Sequence, residues 1–219
     1  MTATIIGATG LTGGYLLEDL LQDNYYDTVR ILVRRHIEMT HAKLEKKLVD
    51  FADAESFQLG LEGSDTVFCT VGTTQKKVKG NKEDYRKVDY DIPVKAARFC
   101  KLTGCENFVL VSSVGANSKS KNFYLQLKGE VEDAVKVVGL RSVHIIQPSV
   151  LLGDRKESRT GEKIAKAVMK AISFLLPSKY KAIQGKEVAK AMILLSKMEK
   201  EGATTYQYKD IKQALSTTA

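Results

Sequence analysis

The chain has 219 residues, which suits one domain with at most a small appendage and allows a sizeable core. Hydrophobic residues make up 43% and charged residues 27%, which excludes a disordered chain, and no apolar run approaches the roughly 20 residues of a membrane span. The net charge of +8 favours anionic partners, but no helix-turn-helix, zinc-finger or aromatic RNA-binding pattern accompanies the densest basic cluster, Lys76-Lys77-Val78-Lys79, so nucleic acid is not expected.

The first fourteen residues, MTATIIGATGLTGG, carry the strongest local signal. A short apolar run, Ala3–Ile6, meets Gly7, Gly10 and Gly13, and a helical pattern follows over Gly13–Gln22. Strand, glycine-rich turn and helix in that order form a phosphate cradle. Gly7 permits the sharp turn, Gly10 permits close approach of a phosphate, and Gly13 permits close packing of the helix. The spacing is G-x-x-G-x-x-G rather than the commoner G-x-G-x-x-G, so its weight comes from its place between strand and helix.

Further strands are predicted at Val29–Val33, about Lys47–Val49, Thr66–Cys69, Asn107–Val111 and Val143–Gln147. Helices are predicted at about Tyr90–Thr103, Phe123–Val138, Glu162–Leu176 and Lys186–Met198. Short strands with little polar alternation, interleaved with helices, give an α/β fold: a doubly wound, mostly parallel sheet of Rossmann type. The expected organisation is a single domain over 1–219, with 153–219 a small, mainly helical part on the substrate side. In such a sheet the ligand lies beyond the carboxyl ends of the strands, so the residues after each strand are the candidates.

After the second strand stand Arg34 and Arg35, with no acidic residue to take a ribose 2′-hydroxyl. Two guanidinium groups there suit the 2′-phosphate of NADP(H), the expected preference over NAD(H); surface arginines in a basic protein are the alternative. After the third strand, Asp50 suits the adenine amino group and Phe51 the ring, or else the pair is a turn aspartate beside a core phenylalanine. After the fourth, Val71, Gly72 and Thr73 would let the backbone run close beneath a cofactor.

After the fifth come Ser112 and Ser113, then Tyr124, with Lys128 four residues on and on the same helix face. A tyrosine can give a proton to a carbonyl oxygen as hydride arrives. A neighbouring ammonium stabilises its phenolate, and a serine hydroxyl can hold the substrate oxygen. Tyr208 and Lys212 share the spacing, so location after Ser113 is what separates the first pair. His36, His41 and His144 lack metal-ligand spacing, and no metal site is expected. Asp154, Arg155, Glu157 and Arg159 follow the sixth strand, as substrate contacts or as a salt-bridged loop.

Taken together, Gly7 to about Ala191 resembles the short-chain dehydrogenase/reductase superfamily in its extended or atypical branch. Within it, the chain is similar to the Tat-interacting oxidoreductase-like proteins, through the Gly7–Gly13 turn, Tyr124-Leu-Gln-Leu-Lys128-Gly-Glu-Val-Glu132 and Gln147-Pro-Ser-Val-Leu-Leu-Gly-Asp-Arg-Lys-Glu-Ser-Arg-Thr-Gly-Glu162. The resemblance implies an NADPH site at Gly7, Thr9, Gly10, Leu11, Thr12, Gly13 and Arg34, with Tyr124, Lys128 and Pro148 also beside the cofactor, and a Ser113/Tyr124/Lys128 catalytic set. Family members often carry Arg where this chain has Gln147.

The function expected is an NADP(H)-dependent oxidoreductase that reduces a small carbonyl or quinone. The alternative is an NADPH-binding sensor acting through a protein partner. A sugar-nucleotide epimerase is disfavoured by the short stretch after Gly153. No membrane partner is expected. Three cysteines with no C-x-x-C pair, and no signal-peptide pattern at the start, lead to the expectation of free thiols and a cytoplasmic location.

Overall fold

A computed structural model gives the structure of the protein and describes residues 1–74, 78–153, 177–198 and 200–217. Seven strands form the main sheet: β1 (Thr2–Ile6), β2 (Thr28–Val33), β3 (Leu44–Leu48), β4 (Thr66–Cys69), β5 (Asn107–Val111), β6 (Ser142–Ile146) and β9 (Gly202–Tyr206). Their order is β3-β2-β1-β4-β5-β6-β9, and every pairing is parallel. Two short strands, β7 (Leu151–Leu152) and β8 (Ile183–Gln184), pair in parallel beside it.

Parallel pairing requires crossovers, and helices supply them on both faces. On one face lie α1 (Leu11–Gln22) and α6 (Gly185–Ser196). Leu16, Leu17 and Leu20 of α1 and Val188, Ala189 and Met192 of α6 pack there on Ile5, Ile31, Phe68 and Val109. On the other face lie α2 (Ala54–Leu61), α4 (Ile92–Thr103) and α5 (Phe123–Val137). Phe57, Ala96, Ala97, Cys100, Val131 and Val135 pack on Ile6, Leu32, Val67 and Phe108. Adjacent residues such as Ile5 and Ile6, or Phe108 and Val109, thus serve opposite cores, which is why the strands read as unbroken apolar runs.

The expected doubly wound sheet is the fold observed. The differences fall at its margins. β3 begins three residues before the predicted start and reads Leu-Glu-Lys-Lys-Leu, because an edge strand keeps charges toward water. The other edge, β9, is Gly-Ala-Thr-Thr-Tyr, too polar to read as a strand; it pairs with β6 from within the stretch expected to be mainly helical. Helix α2 is capped by Asp53, which accepts from the Glu55 and Ser56 amides, and was not predicted. α7 (Tyr208–Ser216) buries only Ile211 fully. The predicted Glu162–Leu176 helix and the Asp154–Arg159 candidates lie outside the described residues, as do Lys76 and Lys77.

The stretch before α4 departs most from expectation. A short helix, α3 (Lys82–Arg86), capped by Asn81, runs into one turn of π-helix, Lys87–Asp91, before α4 begins. The wider π-turn is a feature that recurs at functional sites. Here it carries Asp89, which is 1% exposed.

Candidate functional site

The strand order reverses between β1 and β4, since β2 and β3 lie to one side and β5, β6 and β9 to the other. A crevice at that point, beyond the carboxyl ends, is where such sheets bind ligands. Gly7 ends β1 at φ +96°, in the region that favours glycine. A Cβ on Gly13 would lie 2.1 Å from the Gly7 carbonyl oxygen, so α1 is pressed onto the turn. Thr70, just after β4, closes the other side, its hydroxyl donating to the Ile6 and Gly7 carbonyl oxygens at 3.1 and 3.2 Å.

Gly10 is different. A Cβ there would meet only the Gly7 carbonyl oxygen, at 3.3 Å, and Gly10 is exposed, as is Thr9. Gly10 is the N-cap of α1, offers no side chain to its amides, and the first turn, with half-buried Leu11 and buried Thr12 and Gly13, holds no acidic residue. The positive end of α1 is therefore free to take an anion from the crevice, and a dinucleotide pyrophosphate fits the cradle.

Around the crevice the remaining candidates are distributed as follows. Arg34 and Arg35 are exposed just beyond β2, and neither makes an ion pair or hydrogen bond among the described residues. Asp50 is exposed and its carboxylate accepts from the Ala52 amide at 2.8 Å. Phe51 is half-buried, edge-to-face with Phe57 at 4.8 Å, so part of its ring belongs to the core. Val71 is half-buried and Gly72 exposed, on the strip that leaves β4; the Thr73 amide donates to Asp89 Oδ2 at 2.7 Å. Pro148 is buried beyond β6, its carbonyl oxygen accepting from the Val114 amide at 3.0 Å.

Tyr124 opens α5, which Asn122 caps by accepting from the Leu125 amide at 3.1 Å. Its side chain is 38% exposed, while Lys128, one turn on, is almost wholly buried. Lys128 Nζ lies 3.1 Å from Asp89 Oδ1 and 6.0 Å from the centre of the Tyr124 ring. Burial disfavours the Lys128 ammonium, yet the Asp89 carboxylate, helped by Tyr124, outweighs it and holds the group above its ordinary pKa. Burial raises the Asp89 carboxyl, with Lys128 and the Thr73 amide opposing. The Cys69 thiol, at the end of β4, is pushed by burial up to about 12 and stays neutral. Ser113 is half-buried, and its hydroxyl donates to the Val114 carbonyl oxygen at 3.4 Å rather than to Tyr124.

Asp89 escaped the sequence reading. A signal was present: an acidic residue between Val88 and Tyr90, where a helical pattern would otherwise be apolar. Gln147 also gains a role. It donates to Glu132 Oε1 at 2.8 Å and accepts from the Gln207 amide group at 2.9 Å, while the Ser112 hydroxyl donates to the same Glu132 oxygen. The residue that departs from the family pattern thus joins α5 to the start of α7 without adding a charge.

Crevice, glycine cradle and buried lysine lie at the carboxyl ends of the strands of a Rossmann-type sheet. The chain belongs to the NAD(P)H-binding family, whose model matches residues 7–194. It is 37% identical to Protein HTATIP2 of Rattus norvegicus over 165 residues, 74% of this chain and 67% of that one. It is 35% identical over 202 residues to the protein named FMP52, mitochondrial, of Debaryomyces hansenii, covering 90% of this chain and 88% of the relative. Among solved structures, MoeE5 in complex with UDP-glucose and NAD superposes with a TM-score of 0.72 at 14% identity, over 100% of this chain and 82% of that one. A UDP-N-acetylglucosamine 4-epimerase from Methanobrevibacter ruminantium gives 0.71 at 20% identity, over 94% and 76%. At these identities the two structures establish the fold.

The cytoplasmic expectation is overturned. The fungal relatives from Debaryomyces hansenii, Candida albicans and Candida glabrata are all named as mitochondrial proteins. That expectation rested on free thiols and on the lack of a secretory signal-peptide pattern, and neither distinguishes one reducing compartment from another. Among the described residues no helix is long and apolar enough to cross a membrane.

Proposed function

We propose that the protein is an NADP(H)-dependent oxidoreductase that reduces a small carbonyl or quinone, with Ser113, Tyr124 and Lys128 at the reacting centre. The observation that carries this reading is the buried Lys128 ammonium set beneath the half-exposed Tyr124, where α5 meets the cofactor crevice. A bound reduced nicotinamide would supply the hydride. Tyr124 gives its phenolic proton to the substrate oxygen, and Lys128 stabilises the phenolate left behind. Ser113 holds the substrate oxygen by a hydrogen bond, for which its hydroxyl turns away from Val114.

The α1 N-terminus receives the pyrophosphate, with Gly7, Thr9, Gly10, Leu11, Thr12 and Gly13 lining it. Arg34 and Arg35 face the adenosine end, where unpaired guanidinium groups favour a 2′-phosphate. Asp50, Phe51, Val71, Gly72, Thr73 and Pro148 complete the cofactor contacts. The Ser113 hydroxyl, bonded to Val114 and not to Tyr124, favours a second reading: an NADPH-binding module that signals to a protein partner.

The test is oxidation of NADPH against a panel of aldehydes, ketones and quinones, beside direct titration of NADPH and NADH. Turnover of a panel member with NADPH, and tighter binding of NADPH than NADH, are expected. Tight NADPH binding with no turnover across the panel would favour the second reading; failure to bind either nucleotide would overturn both.

A further inference from the structure

A helix that ends on a left-handed glycine brings the residue after that glycine back against its last turn, where the meeting pair is commonly apolar. Helix α4 ends in this way. Gly104 follows it at φ +78°, and the amides of Gly104 and Cys105 both donate to the Cys100 carbonyl oxygen, the second at 2.9 Å. The two residues that meet are therefore Cys100 and Cys105. With standard bond lengths, the 2.9 Å hydrogen bond keeps their Cα atoms within about 6.8 Å, a separation that a disulfide spans. Both side chains turn into the core that holds Ala97 and Phe108. The Cys100 thiol donates to the Cys105 sulfur, and the Cys105 thiol donates to the Asn107 carbonyl oxygen at 3.6 Å.

The three thiols of the chain are not equivalent. Burial raises Cys100 well above the ordinary thiol range, while the hydrogen bond from Cys100 lowers Cys105. Cys105 is thus the sulfur with thiolate character, and Cys100 keeps its proton. Cys105 is 1% exposed, yet it lies between exposed Gly104 and Glu106, and a Cβ on Gly104 would meet nothing within 4 Å. Opening of a helix end costs far less than unfolding the domain, and here it would uncover the sulfur to a small molecule. Cys69 is in register with Leu110, toward the other end of β5, and burial keeps its thiol protonated.

We propose that Cys100 and Cys105 are a redox dithiol pair, a modification site that takes a small hydroperoxide and closes to an intramolecular disulfide. The Cys105 thiolate attacks one oxygen of hydrogen peroxide. The O–O bond breaks, the other oxygen leaves as hydroxide and regains the proton that the thiol had given up, and Cys105 becomes a sulfenic acid. Cys100 then displaces that oxygen: the S–S bond forms, the S–O bond breaks, and water leaves with the Cys100 proton. Two thiols lose two electrons in all, and one peroxide becomes two waters. The pair stands toward the amino ends of the strands, so the step does not depend on the reading of Tyr124 and Lys128.

The test is the full reduced chain held with hydrogen peroxide under native conditions, then unfolded in urea with an alkylating agent and weighed by mass spectrometry. One alkylated cysteine is expected in place of three, and that one is Cys69. The peptide holding Cys100 and Cys105 should be lighter by two hydrogens until dithiothreitol is added. Cys69→Ser should form the same bridge. The oxidised chain should unfold at a urea concentration no lower than the reduced chain, since the link is made within the native helix end. Three alkylated thiols after peroxide, a bridge that includes Cys69, or a bridge formed only with loss of the folded signal would each overturn the proposal.

Discussion

Two buried cations differ in how fully the fold uses their hydrogen-bonding capacity. Arg30 on β2 donates to Glu45 Oε2 at 2.7 Å, to the carbonyl oxygens of Gly60 and Glu62 at the end of α2, and to the Ser64 hydroxyl at 3.4 Å. The fork is spent on the edge of the sheet and the close of a helix. Lys128 has three donors and, among the described residues, one anionic partner at 3.1 Å. Both residues are more than nine-tenths buried, so burial does not separate them. Unused hydrogen-bonding capacity beside an open crevice does.

The largest effect expected on that comparison is at Tyr124. Tyr124→Phe removes only the phenolic oxygen, and general acid catalysis of this kind contributes about 10²–10⁴-fold. The loss should appear in kcat, with NADPH affinity kept. Lys128→Met should lower turnover and weaken NADPH as well, because on the proposed reading the same ammonium reaches the nicotinamide ribose. A Tyr124→Phe enzyme as fast as the wild type would put the proton elsewhere.

Arg30→Met should do the opposite: cost stability and leave NADPH affinity alone. Breaking a buried ion pair costs about 3–5 kcal/mol, and the partial exposure of Glu45 puts this one near ~3 kcal/mol. Urea unfolding with and without NADPH measures both halves. A changed nucleotide affinity at equal stability would erase the distinction drawn between the two cations.

A third buried ionisable group, His144, extends the contrast to a residue that is polar, paired and uncharged. Its ring bonds the Ser142 hydroxyl at 2.9 Å and the Tyr206 hydroxyl at 3.1 Å. Burial, with Lys200 adding to it, lowers its pKa from 6.5 to about 4. The folded state therefore prefers the neutral ring, and the unfolded chain takes up the proton first as pH falls. The contribution is complete above about pH 6.5 and is lost as pH drops toward 4, amounting to roughly 2–3 kcal/mol. Unfolding of wild type and His144→Gln at pH 7 and pH 4.5 should show the wild type losing more. Equal losses would mean that His144 does not titrate across this range.

Much of the fold was legible because the central strands serve two cores at once and so are mostly apolar. Thr66–Cys69 and Asn107–Val111 were read to the residue. The margins were not legible, since β3 and β9 obey the demands of an edge rather than of a core. At the site, the glycine cradle and the Tyr124/Lys128 spacing stand in the local sequence. Asp89 does not, because 39 residues separate it from Lys128 and only the π-turn, a local irregularity without a sequence period, aims it inward. The same holds for Gln147, whose partners Glu132 and Gln207 come from two other elements. Contacts made by folding, rather than by spacing, were the part sequence could not supply.

The last comparison sets Arg30 against Arg34, four residues along the same stretch. Arg30 is inside the protein and its guanidinium is engaged; Arg34 is exposed and unpaired among the described residues. An exposed, unpaired arginine costs little to remove from the fold, so Arg34→Ala should leave the unfolding transition nearly unchanged. Its effect should fall on the nucleotide that carries a 2′-phosphate. One charge-assisted hydrogen bond is worth roughly 1.5–3 kcal/mol, which is about ten- to a hundred-fold in affinity. NADPH binding should weaken by that factor while NADH binding stays constant, and Arg35→Ala should act in the same direction by less if Arg34 makes the closer contact. Titration of both nucleotides against the two variants, at fixed ionic strength because exposed charges are screened by salt, reads the result directly. Equal weakening of NADPH and NADH would mean that Arg34 senses the dinucleotide's overall charge and not its 2′-phosphate; no weakening of either would return it to the ordinary basic surface of the chain.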